Sequence, residues 1–162
     1  RLYDPRTGAV YDRIVAPPSG AGPAVVRRTG LTYNQGSFIG AAELLYKATG
    51  RRPYYDDALR TLEYTRLHLT GPGGILPSEA GGPDSNGGGF KGIFCRWAVT
   101  FTHDNHITSF DAWFQQNASV AWSHRDARGL MGADWSSPTP IGRLYAWDCS
   151  AAVVLMQVTS GR

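Results

Sequence analysis

Two neighbouring carboxylates, Asp56 and Asp57, are the first residues whose types suggest catalysis. Hydrolysis by acid/base chemistry needs one carboxyl to hold a proton and a second to attack or to activate water. Their setting points elsewhere. They follow Pro53 in the first turn of an amphipathic helical pattern, where the helix dipole favours acids. The pair reads as surface acids, and no other two carboxylates form a credible nucleophile and acid/base. His103, Asp104 and His106 have the atom types of a metal site, yet they fall between two helical patterns with no further ligand spaced to help, so loop polarity explains them. Asp84-Ser85-Asn86-Gly87 mimics the opening of a calcium loop without the glutamate such a loop needs further on, and reads as a turn. Cys95 and Cys149 lack a CxxC or Cys/His spacing; they form either one bridge in an oxidising compartment or two buried thiols. No cofactor and no metal is expected.

Binding residues leave a clearer trace. Tyr33, Asn34 and Gln35 open a helical pattern that is otherwise nearly apolar, a place where polar side chains either cap the helix and pack or line a cleft. Lys91 poses the same choice: a cation two residues into an apolar helix must reach a carboxylate, a ligand or solvent. Trp135, in a Gly-rich loop, is either a stacking surface for a ligand or a packed aromatic set against Trp147 or its own loop. Asn117-Ala118-Ser119 matches a glycosylation sequon but sits inside a helical pattern, and is not read as a modification site.

The elements that position these residues alternate in character. The first 31 residues are Pro- and Gly-rich and predict loops with a short hairpin around Tyr3 to Val15. From Thr32 a pattern through Phe38, Ala42 and Leu45 leaves almost no polar face and stops at Gly50. An amphipathic helix follows Pro53, with Tyr55, Leu59 and Leu62 on one side. After a Gly/Pro loop from Gly71 to Gly89, the charge-poor run through Phe90, Phe94 and Phe101 predicts another buried helix. Phe110, Phe114 and Ala118 mark an amphipathic one, and the apolar run from Leu144 to Thr159 marks a buried one. A helix apolar all round needs protein on every side, whereas its amphipathic neighbour needs a wet face, so this order describes concentric layers. The expected fold is all-α, part of an (α/α)6 barrel with alternating inner and outer helices. Five helices make only a partial ring, which should leave inner-helix faces such as those of Phe38, Phe94 and Val154 uncovered. With 162 residues, 42% hydrophobic and a net charge of +3 spread along the chain, a single globular domain is expected and a nucleic-acid interface is not. No run of about 18 apolar residues suggests a membrane span. Of the 16 cations only Lys47 and Lys91 are lysines, a usage typical of GC-rich bacterial genes.

Four stretches carry a family resemblance. TYNQGSFIGAAELLYKATGRRPYYDDA from Thr32 to Ala58, FKGIFCRW from Phe90 to Trp97, Asn117-Ala118 with Trp122 and Arg125, and Asp134-Trp135 resemble, in order, motifs of glycoside hydrolase family 76, the endo-α-1,6-mannanases. The resemblance implies a secreted or cell-envelope enzyme that cuts α-1,6-linked mannan with two adjacent aspartates on a helix preceding everything matched here. Residues 1–162 would then be one domain, the C-terminal half of the barrel, with 1–31 as lead-in. Its partners would be the polysaccharide and an N-terminal half carrying the catalytic pair, with no nucleic acid involved. Family members tend to carry an acid shortly before FKGIF, for which Asp84 and Asn86 are the candidates. The expected substrate-binding set is Tyr33, Asn34, Gln35, Asp84, Asn86, Lys91 and Trp135. The competing expectation is a non-catalytic carbohydrate-binding or structural helical-barrel protein.

Overall fold

The change of pattern at Thr32 is a real boundary in the computed structural model, which describes residues 1–18, 20, 22–81 and 85–160. Before it the chain forms two strands, β1 (Tyr11–Val15) and β2 (Val25–Gly30), paired antiparallel with Arg13 opposite Arg27 and Val15 opposite Val25. A further bridge joins Tyr3 to Val10. The predicted hairpin is thus a small turn followed by a larger hairpin. Pro17, Pro18 and Pro23 fall in the connection, where their missing N–H groups cost no ladder bonds.

Five α-helices follow among the described residues: α1 (Thr32–Thr49), α2 (Arg52–His68), α3 (Phe90–Asp104), α4 (Asp111–Ser123) and α5 (Ala146–Thr159). Gly50 stops α1 in the left-handed conformation at φ 65°, its N–H bonded to the Tyr46 carbonyl, and Pro53 starts α2. α1 packs on α3 and α3 on α5, forming an inner row; α2 lies against α1 and α4 against α5. Rings lock the rows together, Tyr55 of α2 meeting Phe101 at 5.4 Å and Trp113 of α4 meeting Phe94 at 6.0 Å. Between the rows sit Ile39, Leu62, Phe94, Cys95, Ala98, Phe114 and Leu155. This is the layered arrangement of part of an (α/α)6 barrel, with the hairpin as an addition to the all-α plan. None of the described helices is long and apolar enough to cross a membrane.

The inner helices are not covered all round. Leu44 and Leu45 of α1, Ile93 of α3, and Trp147 and Val153 of α5 are between 40% and 59% exposed. The expectation of uncovered inner faces holds, but none of the three residues named for it is open. Phe94 is fully buried because it faces the outer row, and Phe38 is half-covered by Tyr3, which stacks on it at 4.3 Å. Val154 is half-buried, while Val153 beside it is open. Asp56 and Asp57 also need a different account from the helix dipole, since α2 begins at Arg52 and both lie beyond its first turn. Asp56 pairs with Arg52 at 2.9 Å; Asp57 accepts from the Tyr3 hydroxyl at 2.7 Å and from Arg60 at 3.1 Å, tying the lead-in to α2.

Candidate functional site

The N-termini of α1, α3 and α5 gather at one end. The Tyr33 ring lies 4.4 Å from that of Phe90, and the Gly87–Gly89 turn that enters α3 presses on the start of α5. A methyl group on Gly88 would stand 2.1 Å from an Asp148 carboxylate oxygen, and one on Gly89 2.7 Å from the Trp147 ring, so only glycine permits this approach.

Each helix start is built differently. Leu31 offers α1 no side-chain cap; instead Glu79, 47 residues away in sequence, accepts from the Thr32 N–H at 2.7 Å and from the Thr32 hydroxyl. Burial raises the Glu79 carboxyl above its ordinary range, against the lowering effect of the two Thr32 bonds and of Lys91. Asn34 is therefore not the cap. It reaches Asp12 of β1 at 3.4 Å, sharing with the Tyr33 hydroxyl, at 3.0 Å, a carboxylate whose other oxygen pairs with Arg13 at 3.2 Å. Burial first, and Asp12 second, raise the Tyr33 phenol.

Gln35 and Lys91 were expected to face a cleft, and the structure turns both inward. Gln35 is fully buried. Its carbonyl oxygen accepts from the Val10 N–H at 3.0 Å while its amide donates to the Val10 carbonyl at 2.7 Å and to Leu31 at 3.3 Å, which leaves nothing for a ligand. Lys91, 1% exposed, donates to the carbonyls of Leu76 (3.5 Å), Pro77 (2.8 Å) and Ala133, and its ammonium lies 4.2 Å from the centre of the Trp135 ring. The cation thus finds backbone carbonyls and an aromatic face, none of the three partners expected from sequence. Burial lowers its pKa to about 8. Trp135 is correspondingly buried beneath Lys91 and is no platform for a ligand. Its neighbour Asp134 is exposed and held by the Ser136 N–H (2.9 Å) and the hydroxyls of Ser136 (2.5 Å) and Ser137 (2.6 Å), which keep its carboxyl below the usual range. Asn86 is exposed at the turn into α3, where its carbonyl accepts from Gly89 at 3.1 Å; Asp84 lies outside the described residues.

The remaining motifs sit elsewhere. Asp104 binds Lys47 and the His103 ring at the far end of α3, and Asn105 donates to Glu43 at 3.0 Å, so this cluster staples α1 to α3. Cys95 and Cys149 are free thiols, the former pushed up to about 12 by complete burial. Asn117 is buried and bonds the Leu76 N–H at 2.9 Å, which explains its place in a sequon without any glycan. Asp12, Glu79 and Trp147 are mouth residues that sequence reasoning missed. The only available signal was the apolar type of Trp147 at the first turn of an inner helix.

Hydroxyls, amides, carboxylates and aromatic rings at the shared N-terminal end of an inner helix row describe a site suited to a neutral polyhydroxylated ligand. The comparisons give that class a name. The family model for glycosyl hydrolase family 76 matches residues 1–160, and the chain belongs to this family. It is similar to the GH76A α-1,6-mannanase from Salegentibacter sp. HEL1_6 (TM-score 0.87, 32% identity), covering 98% of this chain and 47% of that one. An inactive variant of that enzyme, altered at two adjacent aspartates and bound to α-1,6-mannotriose, matches with TM-score 0.85 and 33% identity over the same shares. A family 76 mannosidase of Bacteroides thetaiotaomicron VPI-5482 shares the fold at TM-score 0.75 and 21% identity, over 97% of this chain and 43% of that one. No match to a curated protein was found. The chain spans about half the length of the solved structures it resembles.

Proposed function

We propose that this chain supplies half of a glycoside hydrolase that cleaves α-1,6-linked mannan, secreted or held at the bacterial cell envelope, and that the catalytic aspartates come from the other half of the ring. The observation that carries this reading is the convergence of three inner-helix N-termini on one mouth in a chain of family 76. There, Tyr33 and Asn34 hold Asp12, and Glu79 fixes the start of α1. The positive ends of three helix dipoles at one mouth favour negative charge and hydroxyl oxygens, which suits them to orient a sugar and a carboxylate brought from across the barrel. At this mouth Asp12 and Glu79 are already engaged by protein groups and Asp148 is a single carboxylate set against Gly88, while Asp56 and Asp57 lie on the outer helix α2. The chemistry of glycoside cleavage, a proton donor on one side of the scissile bond and a nucleophile or base on the other, is therefore assigned to groups outside these residues.

The test is reducing-sugar release from linear α-1,6-mannan by the 162-residue chain alone and by a protein that also contains the rest of the ring. Activity is expected only in the second. Release by the chain alone, abolished by Asp56→Asn with Asp57→Asn, would overturn the division of labour. A complete protein that binds α-1,6-mannotriose without cleaving mannan would make this a carbohydrate-binding barrel.

A further inference from the structure

Trp135, the aromatic that sequence nominates for sugar stacking, is 1% exposed, whereas Trp147, on the second residue of α5, is 59% exposed. We propose that Trp147 is the stacking platform for one mannosyl ring of an α-1,6-linked chain lying across the mouth, an assignment that rests on the mannan reading above.

Its seat is built for a fixed orientation. The six-membered part of the indole is braced on Gly89, whose added methyl group would stand 2.7 Å and 3.4 Å from two ring carbons. A ring that rests on backbone loses little further freedom when a ligand covers it, which favours binding. The aromatic character of the mouth also extends past this residue. Phe90 follows Gly89 in the chain, and its ring packs against Tyr33, so an aromatic residue stands at the N-terminus of each of the three inner helices. Carboxylates accompany these residues. Asp12 stands beside Tyr33 and Asn34, and Asp148 stands against Gly88. A pyranose presents an apolar C–H face bordered by hydroxyl donors, and aromatic faces with acceptors at their edges complement that pattern. The other widely exposed indole differs. Trp122 lies on the outer helix α4 with the Arg125 guanidinium 4.1 Å from its ring centre, so a protein cation already covers it.

In the complete enzyme, Trp147→Ala should raise KM on linear α-1,6-mannan about tenfold, the size expected for one lost stacking contact, while leaving the melting temperature unchanged. Trp147→Phe should recover most of that loss, and Trp122→Ala should behave as wild type. Titrating α-1,6-mannotriose should change the tryptophan fluorescence of the wild type and not that of Trp147→Phe. A KM unmoved in Trp147→Ala, with a mannotriose response that persists in Trp147→Phe, would show that the rest of the ring covers this indole. That result overturns the platform and leaves mannan cleavage standing. A wild-type enzyme that neither cleaves linear α-1,6-mannan nor responds to mannotriose would overturn both.

Discussion

Gln35 treats Val10 as a neighbouring strand would, giving an acceptor to its N–H and a donor to its carbonyl from one side chain. Because Gln35 is fully buried, Gln35→Ala removes a partner that solvent does not readily replace and should cost about 1–3 kcal/mol in urea unfolding, with no separate effect on catalysis per folded molecule. Lys91 has a comparable role between loops, and a titration can reveal it. Its pKa is about 8 when folded against 10.5 as the ordinary value, so between those limits the unfolded chain binds more protons and folding gains stability as pH rises. Below pH 8 the desolvated charge penalises the fold in full. Cys95 on the same helix, held up at about 12 from 9.0, works in the opposite direction above pH 9, and Tyr3, also raised to about 12, does so above pH 10. Glu79 and Asp134 are the other titratable groups that act on Lys91. Lys91→Met removes the donor to three carbonyls and should cost about 1–3 kcal/mol at pH 7. The wild type's advantage over Lys91→Met in urea midpoints should widen from pH 8 upward. A gap independent of pH would mean that the ammonium is not desolvated.

At the scale of elements, the close contact of α1 with α3 depends on the absence of a side chain at Gly36. A methyl group there would stand 2.4 Å from the Phe94 Cα and 2.7 Å from its nitrogen, backbone atoms that cannot swing aside. Gly36→Ala should therefore part the two helices and cost about 3 kcal/mol or more in thermal or urea unfolding. Gly50→Ala meets open space and should cost only about 1 kcal/mol for its left-handed backbone. Equal losses in the two variants would show that the interface adapts. The helices themselves were legible, since their apolar spacing, the Gly50 stop and the Pro53 start are local signals. A short hairpin around Tyr3 to Val15 was legible too, but its continuation into β2 was not, because Pro17, Pro18 and Pro23 in the connection made that part resemble loop. The groups that fix the mouth were hidden for another reason. Glu79 caps α1 from 47 residues away, Gln35 pairs with backbone, and Lys91 pairs with carbonyls, and none of these partners carries a mark in sequence. Tyr33 and Asn34 could be placed at the right end of the right helix, but nothing local marked Asp12 of β1 as their partner.

For the whole molecule, the open side of the inner row decides behaviour in solution. Ala41, Leu44, Leu45 and Ala48 recur at three- and four-residue spacing along α1 and are all exposed; Ile93 of α3 and Val153 of α5 are exposed on the other inner helices. In family 76 structures about twice this length the fold continues beyond the matched region, which makes the remainder of the ring the proposed cover for this face. Without that cover these side chains should be hidden by another copy, since exposed apolar surface of this kind drives association. The 162-residue chain is therefore expected to sediment as dimers or larger species at micromolar concentration. Leu44→Glu combined with Val153→Glu should return it to a monomer. Because both side chains stand in solvent and neither belongs to the core around Phe94 and Leu155, this double variant should keep its melting temperature. In the complete enzyme the same pair of charges would be forced against apolar partners, and there it should lower the melting temperature and the yield of active protein. A wild-type chain that is monomeric at sub-millimolar concentration with a cooperative thermal transition would show that these five helices are a finished fold and that nothing need cover them.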